Sequence, residues 1–96
     1  MKNLDQNISR IAQKYLDLSK YRVFYFGSRV QKNNATHSDI DIGIDGPKPL
    51  SPKVKFAIKD ELEQLPTLLK FDLVDFRGVS ESFRKVALQK IKPLEE

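Results

Sequence analysis

Apolar residues recur at helical spacing at the start of the chain: Leu4, Ile8, Ile11, Ala12, Tyr15, Leu16 and Leu18, with Arg10, Gln13, Lys14 and Asp17 between them. Positions three and four apart share one helix face, so this spacing predicts an amphipathic helix ending near Ser19-Lys20. Arg22–Phe26 is rich in β-branched and aromatic residues and stops at Gly27, the pattern of a buried strand running into a turn. Residues 28–38 are polar and predict a loop, or a short helix followed by a loop. From Asp39 to Asp45, acid or glycine alternates strictly with isoleucine. Strand side chains alternate faces, so Ile40, Ile42 and Ile44 share one face and Asp39, Asp41 and Asp45 the other.

Gly46-Pro47 ends that strand, and Ser51-Pro52 starts a helix with serine as cap and proline at the first helical position. Val54, Ala57, Ile58, Leu62 and Leu65 mark its apolar face, and Pro66 stops it. Phe71–Phe76 is a third short strand, closed by Gly78. Ser80 then caps a last helix whose apolar face carries Phe83, Val86, Ala87 and Ile91 up to Pro93. The order helix, strand, strand, helix, strand, helix implies a small α/β domain, a short sheet covered by helices. Sheet order and strand direction do not follow from the pattern.

Two aspartates two residues apart on one strand face have Cα atoms roughly 6–7 Å apart. Their carboxylates can converge on one point, where they repel unless neutralised. A divalent cation such as Mg²⁺ resolves the conflict, taking one or two carboxylates together with phosphate oxygens. A third carboxylate on a neighbouring strand completes a site able to hold two metals. For a lone Asp-x-Asp, acids that merely face water are the better explanation, because such alternation is common. The context argues otherwise: Gly27-Ser28 follows an apolar strand, ten residues intervene, and Asp39 comes next. Glycine there lets the backbone approach a phosphate, and turn N–H groups can bind the anion.

With 96 residues, one domain over residues 1–96 is expected and two independent cores are not. The absence of cysteine excludes disulfides and Cys-ligated zinc. The apolar runs are too short to span a bilayer, and the polar N-terminal residues do not make a secretory signal, so a soluble cytoplasmic protein is expected. Seventeen basic against thirteen acidic side chains give a net charge of +4, which would attract nucleotide phosphates, RNA or an acidic partner without choosing among them.

Phe24–Val30, His37–Gly43 and Phe71–Phe76, in that order, resemble the sequence blocks of the DNA-polymerase-β-type nucleotidyltransferase superfamily. The likeness is to its minimal prokaryotic members, which are paired with HEPN-type helical proteins. Val79–Arg84 resembles that family's last helix, and the Gly-Ser-x10-Asp-x-Asp spacing is the most specific part of the match. The resemblance implies the polymerase-β-like fold, a small mixed β-sheet flanked by helices. It implies that Asp39, Asp41 and Asp72 are catalytic and bind Mg²⁺, with a two-metal site open to them. It further implies that Gly27 and Ser28 contact the triphosphate of ATP or another NTP, assisted by Arg29. Asp72 would help deprotonate or orient an acceptor hydroxyl while pyrophosphate leaves. In related pairs the acceptor is a tyrosine of a HEPN toxin silenced by adenylylation, so the resemblance implies the antitoxin half of a toxin–antitoxin pair and a HEPN-type partner. Two departures stand out. Lys32 or Asn33 occupies a place where many relatives have glycine, and there is no separate base-recognition domain, so base selection and acceptor binding would fall to a partner chain.

Asp72 and Asp75, three apart, point to opposite faces of a strand, and the residues alone do not choose between them; the family pattern selects Asp72. Asp75 would otherwise cap a turn or pair with Arg77. Arg29 suits phosphate contact and a structural ion pair equally. His37 reads as a surface residue, Asp45 as a solvated acid, and the lysines at 48, 53, 55 and 59 as a solvated helix face. Exposed apolar helix faces leave a homo-oligomer open. The competing functions are a nucleotidyltransferase, a turnover-deficient protein that neutralises or assists a helical partner by binding it, and a nucleic-acid-binding module. The last lacks a basic cluster interleaved with aromatics, although nucleic acid stays open as an acceptor.

Overall fold

The alternation of strand Asp39–Asp45 divides the core in two. In the computed structural model, which describes residues 4–27 and 39–94, the elements are α1 (Leu4–Gln13), β1 (Arg22–Phe26), β2 (Asp39–Asp45), α2 (Pro52–Glu63), β3 (Lys70–Asp75), α3 (Glu81–Ala87) and β4 (Lys92–Pro93). The expected loop or short helix over 28–38, and with it Ser28, Arg29, Lys32, Asn33 and His37, lies outside the described residues. The strands form one mixed sheet in the order β3-β2-β1-β4. β1 is antiparallel to β2 and β4, and β2 is parallel to β3. The parallel pair is joined through α2, the connection a parallel pair needs.

On one face, Ile40, Ile42 and Ile44 meet Phe71 and Leu73 of β3 and Tyr25 of β1, under Ile8 and Ile11 of α1 and Ile58 and Leu62 of α2. The Tyr25 hydroxyl donates to Asp5, which gives this buried ring a polar partner on α1. Lys14 and Tyr15, just past α1, both reach Glu61 of α2 and tie the two helices together. On the other face, Phe24, Phe26 and Phe76 form a second cluster backed by Val74, Ala87, Leu88 and Ile91. Phe76 packs edge-on against both Phe24 and Phe26, with ring centroids 5.1 Å apart in each pair. Gly43 makes this possible: a Cβ there would lie 2.5 Å from the Phe24 ring and 2.6 Å from the Phe76 ring.

Both helix starts read from the sequence are present. Ser51 accepts from Val54 N with Pro52 following, and Ser80 accepts from Phe83 N. Three expectations change. The first helix stops at Gln13, not near Ser19-Lys20, because Lys14 N and Tyr15 N bond to carbonyls three residues back and Asp17 caps a separate turn through Ser19. The last helix ends at Ala87, and the chain then extends so that Lys92 and Pro93 pair with Tyr25 and Phe24. Val86, expected on its buried face, is 67% exposed.

Asp45, expected as a solvated acid, is buried instead. It is 6% exposed and takes Arg84 of α3 at 2.6 Å, with Arg22 at 3.5 Å and Arg77 at 3.6 Å. Burial of a carboxylate is tolerated because cations surround it. No helix among the described residues is long and apolar enough to cross a membrane. Asp45→Ala would strip Arg84 of its partner and loosen α3, costing about 1–3 kcal/mol. A urea titration checks this, and an unchanged midpoint would show that the aromatic cluster alone holds the helix.

Candidate active site

The face of the sheet that carries the acids changes character along β2. Asp39 is exposed, Asp41 half-buried, Gly43 covered by phenylalanine rings and Asp45 clamped by arginine. α3 and its aromatic cluster cover the Gly43–Asp45 half. The Asp39–Asp41 half stays open.

Register decides what joins it. Asp41 lies directly beside Asp72 of β3 and Phe26 of β1, while Asp39 lies beside Lys70. Neighbouring strands are separated by about 4.8 Å, and residues in register project to the same side. Asp39, Asp41 and Asp72 therefore share one face. Asp75 is in register with Ile44, on the opposite face. There its carboxylate accepts from Leu50 N at 2.8 Å and Arg77 N at 3.0 Å, closing the turn after β3. The Arg77 side chain goes to Asp45 and Gly46 instead.

Gly27 closes the other side of Asp41. Its φ is +70°, a left-handed conformation that costs a residue with a Cβ roughly 1–2 kcal/mol. A Cβ there would also stand 2.5 Å from an Asp41 carboxylate oxygen. Turn and carboxylate are thus adjacent, with no room for a side chain between them. Burial, then Asp72, then Asp39, raise the Asp41 carboxyl above its ordinary value. The two like charges act in the direction expected of carboxylates that share a site.

The family model described as "Polymerase beta, Nucleotidyltransferase" matches residues 6–95. The chain belongs to this family. A probable protein adenylyltransferase, MntA, from Haemophilus influenzae is 32% identical over 66 residues, covering 69% of this chain and 58% of the relative. The chain thus spans less than two thirds of that relative's length. A toxin–antitoxin complex with AMP-PNP matches with a TM-score of 0.76 at 22% identity, over 96% of this chain and 73% of the other. A tri-AMPylated Shewanella oneidensis HEPN toxin in complex with MNT antitoxin matches with a TM-score of 0.70 at 24% identity, over 99% and 72%. At these identities the structural likeness is one of fold.

For this nucleotidyltransferase-family chain, the donor set suits a hard divalent cation: three carboxylates on one face, one of them destabilised in its charged form. Among the described residues no three acids are gathered tightly enough to form a ready cage. Mg²⁺ does not require one, since it keeps waters and takes much of its coordination from substrate phosphates. The sequence reading overlooked the Asp45–Arg84 tether and the Gly43 seat. Alternation within β1 groups Arg22, Phe24 and Phe26 on one side, but only the register with β2 puts that side on the acid face. Neither that register nor the position of α3 follows from local pattern.

The raised Asp41 value has a consequence for stability. Folding favours the protonated carboxyl, so this contribution is full below the usual carboxylate range and is lost as pH rises through the raised value. In chelator at neutral pH, Asp41→Asn is expected to melt at the same temperature as the wild type or higher, and the gap should close on acidification. Added Mg²⁺ should raise the wild-type melting temperature and leave the variant's unchanged. A variant that melts lower than the wild type in chelator would argue for a structural Asp41.

Proposed function

We propose that this chain transfers a nucleotide, AMP from ATP, to an acceptor hydroxyl with release of pyrophosphate. The carrying observation is the register that sets Asp72 beside Asp41 on one open face, with the Gly27 turn against the Asp41 carboxylate. In this reading Asp39, Asp41 and Asp72 hold Mg²⁺, which neutralises charge on the triphosphate when bound. Gly27 and Ser28 receive the phosphates, with Arg29 assisting. Asp72 sits on the β3 side, away from Gly27, and accepts or orients the proton of the acceptor hydroxyl. The hydroxyl oxygen then forms its bond to the α-phosphorus as the bond to pyrophosphate breaks on the opposite side.

The acceptor we infer is a tyrosine hydroxyl of a HEPN-type helical partner, with this chain as the antitoxin. Support comes from the MntA relative, described as a protein adenylyltransferase, and from the fold shared with an MNT antitoxin bound to an AMPylated HEPN toxin. Exposed Phe56 and Leu68 leave apolar surface for such a partner. ATP as substrate, Mg²⁺ as cofactor and a cytoplasmic site of action belong to the same reading.

Incubation with ATP, Mg²⁺ and a HEPN-type protein as candidate partner, followed by intact-mass analysis, tests this. The partner should gain one or more AMP units with the wild type and none with Asp41→Asn, a loss of at least about 10²-fold, as when a group central to transition-state stabilisation is removed. A tight complex without an adduct for any NTP would instead favour neutralisation by binding alone.

A further inference from the structure

Beside Gly27, on the side away from Asp72, the molecule has a groove of about 400 Å³. Phe26, Phe83, Val86 and Ala87 make its floor and walls, and Gln89 and Lys90 stand at its rim. We infer that this groove holds the nucleobase of the triphosphate substrate, so that the chain carries its own base subsite. The inference rests on the proposed use of Gly27 as a phosphate contact.

Three observations support this occupant. The first is position: Phe26 is in register with Asp41, and Gly27 both touches the Asp41 carboxylate and lines the groove. The groove is therefore continuous with the place where the triphosphate would lie. In the proposed reaction the acceptor comes from the Asp72 side, which leaves the β1 side to the nucleotide.

The second is the construction of the walls. Phe83 packs at 5.9 Å from Phe76 and 6.3 Å from Phe26, so the aromatic cluster holds its ring in place, yet 43% of the residue stays exposed. Val86, one turn on, is 67% exposed. A fixed aromatic ring with a free surface is a stacking platform for a base. Apolar side chains exposed beside a charged site otherwise lose by facing water.

The third is the rim, where a side-chain amide and an ammonium supply the few polar groups that a mostly apolar pocket uses to orient its ligand. Gln89 offers both a donor and an acceptor to a base edge, and Lys90 offers a donor or a charge to the adjoining phosphates.

Binding of ATP and of base-free ribose 5′-triphosphate, each with Mg²⁺ and without acceptor, separates the contribution of the base from that of the phosphates. The wild type should prefer ATP by about tenfold, the scale of one base–aromatic stack. Phe83→Ala and Val86→Gln should both lose most of that preference while keeping their affinity for ribose 5′-triphosphate. Val86 is exposed enough for its variant to fold normally, which a thermal melt verifies. A preference that survives in both variants overturns the inference, as does equal binding of the two ligands by the wild type. If the wild type binds neither ligand, the phosphate reading of Gly27 fails first and the base subsite with it.

Discussion

Carboxylates on one face of a single strand must each be shielded or left wet, and the architecture follows from how β2 divides them. At one end Asp45 is buried and surrounded by arginines, with Arg84 reaching it from α3 at 2.6 Å. At the other end Asp39 stays in solvent and Asp41 is half-covered. Between them Gly43 has no side chain, and the rings of Phe24 and Phe76 occupy the space. The ion pair and the glycine together fix where α3 lies. The position of α3 fixes which carboxylates are free to act.

This arrangement makes the second core an instrument of the site as well as a source of stability. Phe26 contributes to the aromatic cluster and also stands in register with Asp41. The packing that seats Phe76 beneath α3 therefore holds the strand end from which Gly27 turns against the carboxylate. A cavity opened at Phe76, which is fully buried, would be felt at Asp41 without any change in the site's own residues. The isoleucine face has a different role. It joins α1 and α2 to the sheet and keeps β2 and β3 in the parallel register that brings Asp72 to Asp41.

Much of this was legible in the sequence because strand alternation is a strict rule. Ile40, Ile42 and Ile44 could only share a face, and the serine caps at Ser51 and Ser80 announced their helices through side-chain chemistry alone. Asp72 and Asp75 could be assigned to opposite faces but not matched to Asp41, since register depends on how two distant strands meet. Asp45 was misread for a related reason. Its environment comes from Arg22, Arg77 and Arg84, which lie on three separate segments, and nothing local in Ile44-Asp45-Gly46 reports them. The end of α1 was missed because its apolar spacing runs past Gln13, whereas Lys14 and Tyr15 are drawn off to Glu61 on another helix. Local pattern set the faces. Long-range contacts set the boundaries and the pairings.

The same distinction bears on how this fold would select a nucleotide in the proposed reaction. Catalytic carboxylates on a strand are positioned by backbone geometry that the sheet enforces, and little else is needed to hold them. Selecting a base requires a surface of fixed shape, which a single small sheet supplies where part of its aromatic core is left incompletely covered. The Phe26–Phe76–Phe83 cluster has that form: closed at Phe76, open at Phe83, and ending at the Gly27 turn. Apolar exposure that would be a liability elsewhere is tolerable there, because a bound ring would bury it each time the site fills. Ligand binding and completion of the second core would then be one event.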